Sequence, residues 1–407
     1  MTLPRRTLLR LLAALPAALA EGCRLPGGTA STSHAAGAPT PLPGTFLPSA
    51  VRERRAVWLS YLDFAQADFS SADRFAAWAD GVFAACRDLG LNRVIAQVRP
   101  FCDALYPSRL FPFSHLCTGG QGGDPGFDPL ELLVTHAHRR GLALEAWVNP
   151  YRIKANGSPA DLAADSPAVL HPDWVRRAGD GLYLAPALPA VRQYIAAGLE
   201  ELAEGYALDG VQLDDYFYPT TDPTFDAEDY AAAHTDLPLP DWRRQQVRLL
   251  LEECYAAVKA ADPVLPFIIS PQGNIENNYN QQYLDVADLM AAGDCLDGIC
   301  PQLYWGVGWQ QNGSDRFSFE NIAAEWAALP RAAGVSLTFG LGAYRIGQED
   351  GGGEASRAFW AGGSALAVQV RLGRALGGDG YALFRLEHLL AEGAAAEREA
   401  LRLANES

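Results

Sequence analysis

The 407-residue sequence predicts an α/β fold, a (β/α)8 TIM barrel with long βα loops at the C-terminal face of its strands. Three observations lead there. Short runs rich in β-branched and aromatic residues recur eight times, interleaved with helix-length stretches. Links from helix to strand are short and contain glycine, whereas links from strand to helix are long. No G-x-G-x-x-G follows the first run, as the first turn of a doubly wound dinucleotide fold would need.

In chain order, the first run is 56–62, followed by a helical pattern over 75–89. The tight link Leu89-Gly90-Leu91-Asn92 leads into the second run, 93–99, which continues through a long link, 100–129, to a helix over 130–140. Arg140-Gly141-Leu142 turns at once into the third run, 143–150, and the link 151–189 precedes a helix over 191–206. The fourth run, 210–218, reaches its helix over 241–261 through 219–240. The fifth and sixth runs are 267–274 and 298–305, and the sixth leaves through 306–318 to a helix over 319–333. The seventh and eighth, 337–344 and 380–386, flank a helix over 365–376. The barrel is therefore expected over 51–392, with a C-terminal helix or tail over 393–407. Length beyond a minimal barrel of about 250 residues sits mostly in the strand-to-helix links, where such a fold builds its site.

At the N-terminus, Arg5 and Arg6 precede an apolar stretch, 8–20, too short to span a bilayer and the right length for a signal-peptide core. Ala18-Leu19-Ala20 supplies a small-x-small cleavage site, and the run from Pro4 to Arg10 loosely resembles a twin-arginine signal. A signal peptide over 1–20 and a flexible Gly/Pro/Ala/Ser/Thr-rich linker over 21–50 are expected. The protein is then exported, secreted or held at the cell surface, with Cys23 a candidate for lipid attachment.

With 48 acidic and 32 basic side chains the net charge is −16, and a hydrophobic share of 49% excludes a disordered chain. Phosphate binding needs clustered Lys and Arg, so no nucleic-acid partner is expected, and a membrane only through the N-terminal tether. Seven cysteines are too few for a disulfide scaffold of this size. Cys102 and Cys117 flank one loop and could pair in an oxidising compartment, although buried hydrophobe is the commoner fate of such residues. No CxxC or His-rich spacing points to zinc, and His136 and His138 do not share a helix face, so no metal and no cofactor are expected.

Strand side chains alternate between faces. In the fourth run Val211 and Leu213 should pack outward, leaving Gln212, Asp214 and Tyr216 inside, with Asp215 at the strand end reaching the rim. The same parity puts Gln97 and Arg99, Glu145, Trp147 and Asn149, Ser270 and Gln272, and Gln302 and Tyr304 inside, with Trp305, Tyr344 and Arg345 at strand ends. Amides, carboxylates and aromatic plates around one mouth suit a sugar, whose hydroxyls need paired partners and whose ring faces stack. Blander readings exist: Asp214-Asp215 as a strand cap or an ion pair with Arg99, Glu145 as a buried acid paired with an Arg, Gln272, Gln302 and Asn149 as backbone partners, and Trp305 and Tyr344 as core.

Several stretches carry a family resemblance. They are Gln97-Val98-Arg99-Pro100 with Asp103 to Ser108, Asp124-Pro125-Gly126-Phe127-Asp128-Pro129, and Ala146-Trp147-Val148-Asn149-Pro150-Tyr151-Arg152. Residues 210–219, Ile269-Ser270-Pro271-Gln272-Gly273-Asn274 and Cys300-Pro301-Gln302-Leu303-Tyr304-Trp305 complete the set. Over 52–390 the chain resembles the bacterial glycosyl-hydrolase-like barrel family known as family 10 glycosylhydrolases. The resemblance implies an exported (β/α)8 protein and a glycan substrate, since a divisome-localised relative cleaves peptidoglycan strands stripped of stem peptides. The expected function is an exported glycoside hydrolase acting on a peptidoglycan-type glycan of 2-acetamido sugars, or a related polysaccharide.

Asp214 and Asp215 are the expected catalytic pair. Arg99, Asp103, Asn149, Tyr151, Tyr216, Gln272, Asn274, Gln302, Tyr304, Trp305, Tyr344 and Arg345 are the expected substrate-binding set. Neighbouring acids at this position are similar to those of N-acetylhexosaminidases, where the substrate's acetamido group attacks, one acid orients it and the other donates a proton. A second scheme takes a distant partner, Glu145 or Glu276. The reading of another class is a non-catalytic cell-surface polysaccharide-binding barrel.

Overall fold

The computed structural model describes residues 53–214 and 217–406. The expected signal peptide, linker and Cys23, and the candidates Asp215 and Tyr216, lie outside the described residues. The fold is a closed (β/α)8 TIM barrel. Its parallel strands are β1 (Arg54–Leu59), β2 (Arg93–Arg99), β3 (Ala143–Val148), β4 (Gly210–Leu213), β5 (Phe267–Ile269), β6 (Gly298–Ile299 continued by Gln302–Leu303), β7 (Ser336–Leu341) and β8 (Gly380–Leu383). Pairing of β8 with β1, Arg54 opposite Gly380, closes the ring. β6 is interrupted at Cys300 and Pro301, since proline has no N–H for a ladder, yet Cys300 and Gln302 still donate their N–H groups to Ile269 and Pro271 of the neighbouring strand and loop.

The outer ring contains α1 (Ala72–Asp88), α2 (Pro129–Arg139), α3 (Pro189–Gly205), α4 (Leu239–Ala261), α5 (Val286–Ala292), α6 (Phe319–Ala327), α7 (Ala365–Ala375) and α8 (Ala395–Glu406). Side-chain caps start several of them: Ser71 accepts from Arg74 N, Asp128 from Glu131 N and Asp285 from Asp288 N. The segment expected as a C-terminal helix or tail contains the eighth helix of the ring. Asn405 donates to Leu89 O at 2.8 Å and accepts from the Tyr381 hydroxyl at 2.7 Å, while Arg374 holds Ala404 O at 2.6 Å.

Strand alternation divides the core in two. Val57 and Leu59 of β1 and Val211 and Leu213 of β4 face the helices, each such side chain contributing about 1.5–3 kcal/mol when fully buried. Ala56, Trp58, Ile95, Trp147, Ile268, Cys300 and Ala382 fill the barrel interior. At the N-terminal end of the strands the fully buried Glu145 pairs with Arg54 and with Arg93 Nη1 at 2.6 Å. Gly210 opposite it must lack a side chain, because a Cβ there would come within 3.0 Å of Glu145 Cγ.

The long loops are braced internally. Between β3 and α3 a three-stranded antiparallel sheet forms from Arg152–Lys154, Val175–Ala178 and Gly181–Leu184. After β4, the fully buried pair Arg243–Asp226, with Arg243 Nε 2.9 Å from Asp226 Oδ2, also holds Asp222 O and the Tyr283 hydroxyl. After β7, Asp350 accepts from Gly306 N at 2.9 Å, Gly352 N at 3.0 Å, Ser356 Oγ at 2.7 Å and Trp360 Nε1 at 2.8 Å. Burial would push this carboxyl up, but these four donors hold it below the usual carboxylate range. Cys102 and Cys117, considered as a disulfide, are both free and buried among apolar neighbours.

Candidate active site

The site begins where β4 ends. Asp214 continues the inward parity of Gln212 and is 5% exposed. Its Oδ2 accepts from Asn149 Nδ2, at the end of the adjacent β3. Asn149 Oδ1 in turn accepts from Gln97 Nε2 and from Arg152 Nη2, the latter at 2.9 Å. Arg152 Nε donates to Pro100 O at 2.9 Å, and its guanidinium lies 4.6 Å from the Phe101 ring centroid, so the cation is fixed in place. Gln97 Oε1 accepts from Tyr61 N at 2.8 Å. The orientation of Asp214 is thus set by a chain of amides rooted in three neighbouring strands.

Burial pushes the Asp214 carboxyl up to about 6, against the opposing influence of Arg152, Asn149 and the Trp147 indole. Its Oδ1 is buried and closes no hydrogen bond of good geometry. The two carboxylate oxygens therefore differ: one is held by an amide donor, and the other is buried with no hydrogen bond of good geometry.

Asp214 lines a compartment of about 230 Å³ with Trp58, Tyr61, Gln97, Trp147, Arg152 and Tyr304. Trp58 is fixed by its own donor, Nε1 lying 2.6 Å from Gln212 Oε1. A second compartment of about 240 Å³ adjoins it, formed by Gln272, Asn274, Asn277, Trp305, Tyr344 and Arg345. Gln302 and Tyr304 belong to both walls. Tyr304 stacks on Phe384 at 5.7 Å and meets Tyr344 edge-on at 5.5 Å, while Trp305 stacks on Phe317 at 5.2 Å. Gly273 lets the two walls meet, since a Cβ there would fall 2.5 Å from Gln302 O. Each volume is below the roughly 300–1,000 Å³ of a site for a drug-sized ligand. Each therefore fits about one sugar ring.

Of the expected residues, Asp214, Gln272, Asn274, Gln302, Tyr304, Trp305, Tyr344 and Arg345 line this cleft, and Asn149 supports Asp214 from behind. Three do not. Arg99 follows a register shift in β2 between Gln97 and Arg99, which undoes the alternation. Its buried guanidinium stacks 4.2 Å from Phe111 and presses on Gly198 of α3, so it faces the helices and forms no ion pair with Asp214. Asp103 is buried in the β2 loop, 3.1 Å from His115 Nδ1, where it ties the loop together. Tyr151 is buried beside Cys254 and Arg192 on the helix side, which pushes its hydroxyl well above the usual tyrosine range, chiefly by burial.

Neither distant carboxylate reaches the cleft. Glu145 is locked at the opposite end of the strands, and Glu276 pairs with Arg316 at 2.9 Å with its side chain 63% exposed. Residues absent from the expected binding set are Trp58, Tyr61, Trp147, Arg152 and Phe384. Extending parity to the first strand would have found Trp58. Arg152 closes a motif already noted, but it opens the small antiparallel sheet beyond β3, outside the barrel strands whose parity was read.

Residues 53–352 match the family described as glycosyl hydrolase-like 10. Glycosyl hydrolase YngK of Bacillus subtilis (strain 168) is 35% identical over 289 residues, covering 63% of this chain and 54% of that protein. Glycosyl hydrolase DigH of Escherichia coli (strain K12) is 32% identical over 289 residues, covering 64% of each. The chain thus spans between about half and two thirds of these relatives' length. Among solved structures, the PgaB (BpsB) glycoside hydrolase domain from Bordetella bronchiseptica superposes with a TM-score of 0.55 at 16% identity, over 86% of this chain and 99% of that one. Alpha-L-fucosidase isoenzyme 2 from Paenibacillus thiaminolyticus gives 0.54 at 14% identity, over 87% and 48%. At such identities the likeness is one of fold. With a matched segment that holds seven strands of the ring and every lining residue of both compartments but Phe384, the chain belongs to the glycosyl hydrolase-like 10 family.

Proposed function

We propose that the protein is an exported glycoside hydrolase that cleaves a bacterial cell-wall glycan of 2-acetamido sugars, or a related polysaccharide, with Asp214 as proton donor. The observation that carries this reading is the Asp214 carboxyl itself: buried, raised to about 6, anchored through Oδ2, and set in the wall of an aromatic-lined cleft. A carboxyl that keeps its proton near the working pH is what a departing glycosidic oxygen requires.

In the scheme favoured here, the Asp214 carboxyl protonates the glycosidic oxygen as the bond to the anomeric carbon breaks. The carbonyl oxygen of the substrate's acetamido group closes on that carbon. Asp215, assigned by its place in the sequence alone, orients the acetamido N–H. Water then attacks the anomeric carbon, its proton passes to the Asp214 carboxylate, and the acetamido group is released. Trp58, Trp147 and Tyr304 offer apolar faces to the sugar ring. A positioned acid of this kind contributes about 10²–10⁴-fold in rate.

The test incubates purified protein with peptide-stripped peptidoglycan glycan and measures new reducing ends. Loss of product in Asp214→Asn and Asp215→Asn, with Glu145→Gln and Glu276→Gln still active, is expected. Activity retained in both Asp variants ends the scheme. Tight pelleting of wild-type protein with the glycan and no product replaces hydrolase by binder.

A further inference from the structure

The second compartment contains a cation that the chemistry at Asp214 does not use. Arg345 lines it, Nη1 donating to Glu349 O at 3.1 Å and the guanidinium lying 4.8 Å from the Tyr344 ring centroid. Its Nε is buried and closes no hydrogen bond of good geometry. The nearby Glu349 carboxylate is taken by Arg357 at 2.8 Å. Among the described residues, no carboxylate reaches Arg345 within ion-pair distance, and none lines this compartment. The other groups there are amides of Gln272, Asn274, Asn277 and Gln302, and aromatic faces.

This is a local reversal of sign in a chain of net charge −16. An acidic protein repels an acidic polymer at long range, so an unmatched guanidinium inside the cleft selects for negative charge at one place only. With Nη1 on Glu349 O and Nε buried, the rest of the guanidinium, held against the Tyr344 ring, carries a positive charge that suits a carboxylate better than a hydroxyl. The geometry points to Arg345 as the residue that reads a carboxylate on the sugar in the second compartment, one ring away from the sugar engaged by Asp214. The inference rests on the proposed glycan-hydrolase reading and adds that the substrate is an acidic glycan, with the charge at a defined position.

The experiment uses peptide-stripped peptidoglycan oligosaccharides, whose muramyl rings carry a free lactyl carboxylate, and the same oligosaccharides as methyl esters. Binding is measured by calorimetry and hydrolysis by reducing ends. Wild-type protein is expected to prefer the free acid about tenfold or more in affinity and KM, less so at high salt. Arg345→Gln brings the ratio toward one, and Arg345→Lys restores part of it. Melting curves establish that both variants are folded. Equal binding of acid and ester by wild type, or a preference unchanged in Arg345→Gln, overturns the inference while leaving hydrolysis intact. Absence of cleavage with the binding preference present sinks the hydrolase reading instead and retains the carboxylate site.

Discussion

Replacing Asp214 by asparagine is expected to remove the proton donor and, above pH 6, to stabilise the fold. The folded carboxyl titrates at about 6 against an ordinary value of 3.8, because burial penalises its charge. Between those values the folded state keeps a proton that the unfolded state has lost. Stability contributed by the neutral carboxyl is thus full below 3.8, declines as pH rises to 6, and stays lost above it. A displacement of about two units corresponds to about 3 kcal/mol. Asparagine has the same shape, never ionises, and can still accept from Asn149, so it escapes this penalty. The variant should therefore exceed wild type by about 1–3 kcal/mol at pH 8 and match it near pH 4, a gap of several degrees in melting temperature. Tryptophan fluorescence followed through urea and thermal unfolding at both pH values measures this. A variant no more stable than wild type at pH 8, or a gap identical at both pH values, would refute the reasoning.

Other outcomes test neighbouring parts of the site. Arg152 and Asp214 both hydrogen-bond Asn149, and opposite charges with one amide between them attract by about 3 kcal/mol at an effective dielectric near 20. Solvent screening of the partly exposed guanidinium reduces this to about 1 kcal/mol, so Arg152→Gln should move the alkaline limb of kcat/KM up by about one pH unit; a downward shift contradicts the assignment of Asp214 as acid. Glu145→Gln leaves two half-buried arginines without their fully buried carboxylate and should cost about 3 kcal/mol in denaturant while kcat is retained; a collapse of kcat in folded protein would restore Glu145 as a catalytic candidate. Tyr304→Ala removes the plate shared by both compartments and should raise KM about tenfold, from a stacking loss of about 1 kcal/mol plus buried area, with a smaller change in kcat.

The ring and its long loops were legible because both leave a periodic trace: runs at strand spacing, glycine at the short links, length concentrated on one side. Parity also located Asp214, since Gln212 inside and Val211 and Leu213 outside constrain where the next inward residue points. It failed at Arg99, where one irregular step in β2 moves the side chain to the other face. Tyr151 and Asp103 lie beyond strand ends, where alternation no longer applies and loop packing decides. The same reason hid Arg152, whose place depends on Pro100, Phe101 and Asn149 together. A helix or tail was expected at the C-terminus, but its anchors, Leu89 and Tyr381, are remote in sequence and leave no local trace of how it packs.

Asp350 gathers donors from the segment after β6, from its own loop and from the helix beyond, far from the amide chain that sets Asp214. The Asp350 cluster and the amide chain behind Asp214 thus share no residue, and the two compartments meet only through Gln302 and Tyr304. On the proposed reading, an engineer seeking an altered glycan preference would redesign 306–318 and 343–353 around an untouched Asp350 and leave Tyr304 in place.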